Sequence, residues 1–504
     1  MNKPIPVGLA MKRSCSLTIG WALLLLIFPV FRAHAQTVTN IHLFSGAPSD
    51  GSNPYARLIQ ASDGNFYGTT QQGGTSGSGM VFRISPNGSY TNLHSFSSID
   101  GAIPLGLVEG RDGNFYGITE FGGTNINCFS GCGTIFRINS SGNFTSLYSF
   151  AGLPNDGSDP GVELVEGRDG NFYGTTAAGG PCTSCGRGLG TIFRISPSGS
   201  YTSLYSFVGS PTDGSIPLGA LVQGSDGNLY GTTYSGGTNG SCFSYLYGSG
   251  CGTIFRIGLG GTYTSLYSFV DSRGLNPRGS LVQGSDGYFY GTTVNGQSMS
   301  SYGTVFRFGT DGSFTNLHYF TDPTKGVTPF AGLVQGSDGN FYGTTDGDAN
   351  FCQCGTIFQI SPAGSYKQVY AFPGPTANGP GLYDRLTQGT DGSFYGTTYT
   401  GGTLTNSPFG LGNGIVFKLT VSLKPAPYPI NQITGVQLSG TNVVFNIPSI
   451  AYETYQLQFS SSMNPTNWVN VPSVSVTNSI GATLTLTNFG GASSQGFYRF
   501  DITP

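Results

Sequence analysis

The chain has 504 residues, of which 82 are Gly; aromatic residues make up 13% and charged residues only 9%. Few charges combined with many Phe and Tyr exclude an intrinsically disordered chain and suit a turn-rich all-β protein. The formal charge of −3 carries no basic excess, which excludes a surface built for nucleic acid or anionic lipid.

Residues 1–35 read as a signal peptide. Lys12 and Arg13 are followed by an apolar run from Leu17 to Val30, and Ala33-His34-Ala35 offers a small-x-small cleavage site before Gln36. The alternative is a retained membrane anchor, which the short apolar run disfavours. Removing Lys3, Lys12, Arg13 and Arg32 takes the formal charge from −3 to −7. The mature chain is expected to be a monomer with no membrane span, secreted or held at a bacterial cell surface.

The phrase Asp63-Gly64-Asn65-Phe66-Tyr67-Gly68-Thr69-Thr70 then recurs with small changes from Asp112, Asp169, Asp226, Asp286, Asp338 and Asp391. Self-similarity at about 50–60 residues marks a repeat architecture in which no unit buries its apolar face alone. In the repeat near Pro217, Ala220–Gln223, Leu229–Thr233, Thr253–Ile257 and Tyr263–Phe269 read as strands bounded by Gly, Asp and Ser. No stretch of the mature chain has helical periodicity. Four strands repeated seven times predict a seven-bladed β-propeller over residues 36–421. The last repeat stops after Ile415–Leu419, and Thr39–Phe44 aligns with the fourth strand Thr91–Phe96. The N-terminal strand is therefore expected to close the ring.

Leu221-Val222-Gln223-Gly224-Ser225-Asp226-Gly227, Tyr230-Gly231-Thr232-Thr233 and Gly252-Thr253-Ile254-Phe255 resemble the GloVer tandem repeat of exported bacterial proteins, described as "choice of anchor". The resemblance spans residues 37 to about 420 and implies no activity or catalytic residues. Such proteins end in a surface-sorting tail, and no C-terminal apolar helix followed by basic residues stands here.

After a linker at 422–428, residues 429–504 lose Gly and gain Val, Thr and Asn. Strand candidates at Val443–Ile447, Tyr455–Phe459, Trp468–Val471, Thr483–Thr487 and Phe497–Phe500 predict a small fibronectin- or immunoglobulin-like β-sandwich. Trp468 suits its core better than a sugar platform.

Sevenfold repetition supplies an internal control: a residue present in every blade serves the blade, whereas chemistry at one site must break the pattern. The turn aspartates Asp63, Asp112, Asp169, Asp226, Asp286, Asp338 and Asp391 are thus structural. Arg83, Arg137, Arg194, Arg256 and Arg307, with Gln359 and Lys418, form a polar column expected to bond those turns, with anion binding as the sharper alternative. Glu109 and Glu166 stand where the other repeats have Gln60, Gln223, Gln283, Gln335 and Gln388, which argues against a catalytic acid pair. His42, His94 and His318 occupy a tyrosine slot, so a Ser-His-Asp triad or histidine metal site is not expected.

The pattern breaks in the loops between second and third strands. These carry Cys128 and Cys132, Cys182 and Cys185, Cys242 and Cys251, and Cys352 and Cys354, expected as four disulfides in an exported chain. Zinc is the rival reading, but each pair lacks two further ligands. These loops share a face with the Asp-Gly-x-x-Pro loops between blades. Asp346-Gly347-Asp348-Ala349-Asn350 resembles the opening of a calcium loop, with Asp346, Asp348 and Asn350 as oxygen ligands, although the later ligands are missing. No other cofactor is expected. Glu120, Asp346, Asp384 and Arg385 also break the pattern. The expected function is non-enzymatic binding of a polysaccharide or surface protein. The alternatives are a polysaccharide lyase or glycosidase drawing on Glu120, Asp346 and Asp384, and a structural envelope protein.

Overall fold

The computed structural model describes residues 36–421 apart from 126, 183–184, 239–241, 245–247, 271–273, 297–301, 323–325, 347–354, 373–380 and 403–411, and beyond 434 the backbone of the strands alone. The segments expected as signal peptide and linker, and Trp468, lie outside the described residues.

Seven antiparallel sheets form, each running from a short inner strand outward. Blade 1 consists of Ile59–Gln60, Phe66–Thr70, Met80–Ile84 and Tyr90–Ser95, and blades 2 to 6 repeat this order within residues 102–149, 165–206, 222–268, 282–319 and 334–371. In blade 7, Thr387–Gln388, Phe394–Thr398 and Ile415–Thr420 are completed by Thr37–Leu43, which pairs antiparallel with Ile415–Thr420. The fold is an all-β, seven-bladed propeller closed by its N-terminal strand. Closure leaves blade 7 with no unpaired strand against blade 1.

The repeated phrase explains the blade. Gly64 takes a φ of 80° in the Asp-Gly turn, a region closed to most side chains. The Asp63 carboxylate accepts the Asn65 N–H at 2.9 Å and the Tyr67 phenol at 2.8 Å. A Cβ on Gly68 would come within 2.7 Å of the Phe82 ring and of Leu58, so glycine alone lets the third strand's Phe cover the second strand. Thr119 and Thr134 pair hydroxyls at 2.8 Å, as do Thr176 and Thr191, satisfying polar groups in a buried sheet.

Blades join through rings of contacts. The Tyr67 ring stacks on Phe115 of blade 2 at 4.0 Å and Tyr116 on Phe172 at 3.9 Å, while Tyr395 of blade 7 meets Phe66 at a tilt, 4.0 Å away. Near the Asp-Gly turns, Glu109 accepts the Ser62 N–H, Glu166 that of Arg111, Gln223 that of Arg168, and so on around to Gln60, which accepts that of Thr390 at 2.8 Å. Glu109 and Glu166 thus do a glutamine's work. His42, His94 and His318 stack on Tyr90, Phe144 and Tyr366 at 3.9 to 4.1 Å, as Tyr148 and Tyr205 stack on Tyr201 and Tyr263.

Beyond the propeller, Gly435–Ser439, Asn442–Asn446 and Leu484–Leu486 form one three-stranded sheet, and Val469–Thr477, Thr454–Ser460 and Phe497–Thr503 another.

Candidate functional site at the mouth of the ring

In blades 1 to 6 the inner strand follows, or in blade 2 contains, the proline of a Gly-x-x-Pro phrase, blade 7 having Leu382 there, and the second strand runs through a Thr-Thr or, in blade 2, an Ile-Thr pair. Antiparallel pairing brings both points to one end of the ring. Gln71 N–H bonds the Asn53 carbonyl at 3.1 Å, Tyr234 that of Ile216 at 3.0 Å, and Tyr399 that of Gly381 at 2.9 Å, so the two columns lie side by side. Both columns vary where the blade itself does not. Tyr55, Leu105, Gly161, Leu218, Arg278, Phe330 and Tyr383 follow the proline position; Gln71, Glu120, Ala177, Tyr234, Val294, Asp346 and Tyr399 follow the Thr-Thr or Ile-Thr pair.

Members of these columns meet across the ring. Arg278 of blade 5 donates from Nη2 to the Tyr55 hydroxyl of blade 1 at 2.8 Å, and its guanidinium carbon lies 4.6 Å from the centre of the Phe330 ring. Tyr55 stacks on Tyr383 at 5.3 Å, while Tyr399 stands edge-on to both at 6.2 and 5.3 Å. Burial pushes the Asp346 carboxyl up to about 6, against the pull of the Tyr383 phenol that bonds it and of Arg278 nearby. Burial also raises the Glu120 carboxyl, assisted by Asp159 and opposed by Arg187 and Arg278. The mouth thus presents one cation, two reluctant carboxyls and four aromatic rings, all half-buried.

Two residues further along the same inner strands lies a charged floor. Arg57 Nε donates to Glu163 Oε2 at 2.6 Å, and Arg385 Nη2 donates to Glu163 Oε1, so blades 1 and 7 are tied to blade 3 across the axis. Although burial opposes it, Arg385 and Arg57 hold the Glu163 carboxyl below its ordinary value. Asp384 accepts the main-chain N–H groups of Arg57 at 2.7 Å and Arg385 at 2.6 Å. Burial, then Glu163, pushes Asp384 up to about 6.

The residues singled out from sequence distribute as follows. Each of the seven turn aspartates takes the phenol of the tyrosine four residues on, at 2.6 to 2.9 Å. Lys418 pairs with Asp391 at 2.7 Å, and Gln359 donates to Asp338 at 3.0 Å. Disulfides join Cys128 to Cys132, Cys182 to Cys185 and Cys242 to Cys251; Cys352 and Cys354 lie outside the described residues. Of the three calcium ligands expected, Asp346 sits at the mouth bonded to Tyr383, while Asp348 and Asn350 lie outside the described residues. Among the described residues no group of three or more acidic, Cys or His side chains is placed to hold a metal. Glu120 and Asp346 share the mouth, and Asp384 belongs to the floor. Tyr55, Arg278, Phe330, Tyr383, Arg57 and Glu163 were not singled out from sequence. The signal that finds them is the variability of the column after the proline, read blade against blade.

A closed sevenfold ring built from one repeated unit defines a repeat-built β-propeller, asymmetric at one end. The chain matches the Gloeobacter/Verrucomicrobia repeat over residues 28–245 and 243–428 and belongs to that family. No curated protein matches it. Among solved structures it is similar to a putative oxidoreductase (glucose dehydrogenase) of Thermus thermophilus, with 13% identity, a TM-score of 0.39, and coverage of 77% of this chain and 100% of that one. It is also similar to a PL25 ulvan lyase bound to -[GlcA(1-4)Rha3S]-, with 10% identity, a TM-score of 0.45, and coverage of 72% and 90%. A protein from Lactobacillus plantarum aligns with 15% identity and a TM-score of 0.42, over 65% of this chain and 85% of that one. At such identities the likeness concerns the fold alone. Among the described residues no helix is long and apolar enough to cross a membrane.

Proposed function

We propose that this chain is an exported, non-enzymatic binding protein that takes a neutral polysaccharide at the mouth of its propeller, with the C-terminal module as a small β-sandwich. The observation that carries the reading is the Tyr55, Arg278, Phe330, Tyr383 and Tyr399 cluster, assembled from blades 1, 5, 6 and 7 where the sevenfold pattern breaks. Aromatic faces pack the CH-bearing face of a sugar ring, while phenols, a guanidinium and carboxyls exchange hydrogen bonds with its hydroxyls. Glu120 and Asp346 beside a single Arg278 disfavour an anionic ligand. The apolar N-terminal segment and the disulfides support export, because such bridges persist in oxidising compartments.

The test is a glycan array followed by calorimetry on the mature chain, with calcium and with chelator. Binding of a neutral glycan is expected, weakened about tenfold or more by Tyr55→Ala and by Arg278→Ala. Array silence towards every neutral glycan would overturn the reading. A calcium requirement that Asp348→Ala removes would identify the ion as part of the site.

Asp346 favours a second reading. A carboxyl held near 6 suits a proton donor at neutral pH, as a glycosidase or lyase requires. Release of shortened or unsaturated sugars, abolished by Asp346→Asn, would replace the binding reading with this one.

A further inference from the structure

A cleft of about 450 Å³ opens between the second-to-third-strand loops of blades 2 and 3, lined among others by Phe121, Asn127, Phe129, Asp159 and Arg187. Phe129 is fully exposed, at 108% of its reference area, on a turn closed by the Cys128–Cys132 disulfide. The turn is fastened at several points. Gly122 N–H bonds the Ser130 carbonyl at 2.8 Å, Gly133 N–H bonds that of Gly122 at 3.1 Å, and Asn127 Nδ2 bonds that of Ala151 at 3.0 Å. The stapled, hydrogen-bonded turn thus displays its phenylalanine to water. Such a ring suits contact with something outside the chain.

The cleft and the mouth are lined by neighbouring residues of the same strands. Phe121 lines the cleft, and the preceding residue, Glu120, belongs to the variable column at the mouth. Asp159 stands one residue before Pro160, at the entry to blade 3's inner strand, and is paired with Arg187 on the cleft wall. The charges of Asp159 and Arg187 in the cleft and of Arg278 at the mouth all act on the Glu120 carboxyl.

We propose that the binding site is a radial groove rather than a single pocket: a neutral oligosaccharide chain lies with one unit on the Tyr55 and Tyr383 rings and continues past Glu120 and the Asp159–Arg187 pair to a further unit packed on Phe121 and Phe129. This rests on the reading of the mouth given above. The groove selects chains over monosaccharides, because the outer rings add contact only once a ligand is long enough to reach them.

The experiment is calorimetry of the mature chain against cello-, xylo- and malto-oligosaccharides of about two to six units. For the series that binds, affinity is expected to rise about tenfold or more from shortest to longest, equivalent to about 1.4 kcal/mol. Phe129→Ala, an exposed substitution with an unchanged melting temperature, is expected to abolish that rise and leave the shortest ligand's affinity intact. Tyr55→Ala should weaken every length. A Phe129→Ala protein that keeps the rise, or loses short and long ligands equally, overturns the groove while leaving the mouth standing. If Tyr55→Ala has no effect, or no oligosaccharide binds, the mouth reading falls and the groove with it.

Discussion

At the scale of single residues, the charged groups of the ring divide by what surrounds them. Glu163 is only 4% exposed yet is held ionised by two guanidiniums, since an unpaired charge there would be costly. Asp346 has no such pair. Its folded value of about 6 lies above the ordinary 3.8, so folding favours the protonated form. Stability from this group is therefore greatest below about pH 4, falls as pH rises towards about 6, and is flat above. Asp346→Asn removes the titration. It is expected to melt several degrees above the parent at pH 7, a gain of up to about 3 kcal/mol, and to match it near pH 4. Calorimetric melts at the two pH values check this; an equal difference at both would show that burial of Asp346 carries no electrostatic cost.

At the scale of the element, the entry into each inner strand stands out. Asn53, Ile103, Asp159, Ile216, Asn276 and Thr328 all have φ between 51° and 59°, in the left-handed region that β-branched residues avoid. Blade 7 supplies Gly381 at 85°, with Leu382 standing where the others have proline. The conformation is imposed by two bonds. Ile216 donates its N–H to Leu189 in the preceding blade at 2.9 Å and accepts that of Tyr234 at 3.0 Å. Both main-chain groups of the strained residue are satisfied in this geometry, which offsets its cost. Ile216→Asn is expected to raise stability by about 1 kcal/mol, and Gly381→Ala to lower it by about 1 kcal/mol. Urea unfolding of both variants measures this, and a loss for Ile216→Asn would mean that the isoleucine packs better than its backbone suffers.

At the scale of the whole molecule, closure is the decisive contact. Thr37–Leu43 completes blade 7, and His42 within it stacks on Tyr90 of blade 1 at 4.1 Å. Deleting residues 37–44 exposes the edge of Ile415–Thr420 and is expected to give an aggregating chain. Transplanting those residues to follow Thr420 through a short linker should restore a monomeric β protein, because topology and not chain order holds the ring. Size-exclusion chromatography and circular dichroism distinguish the outcomes; a well-behaved deletion would show that the seam contributes little.

Period, strand identity, blade count and even the closing strand were legible in the chain, because strands, turns and the glycine under each Phe are local and repeat seven times. The repetition also showed that the turn aspartates, the Gln/Glu column and the histidines serve the fold. The site was legible only in fragments. Glu120, Asp346 and Asp384 were visible as breaks in the pattern, but nothing in their spacing tells a mouth from a floor. Tyr55 and Arg278 are 223 residues apart and meet only because the ring carries blade 5 opposite blade 1. Sequence alone determined what each blade is, since that rests on contacts within one repeat and its neighbour. Only the tertiary structure decided which exceptional residues share a site, since closing the ring brings distant exceptions to a common axis.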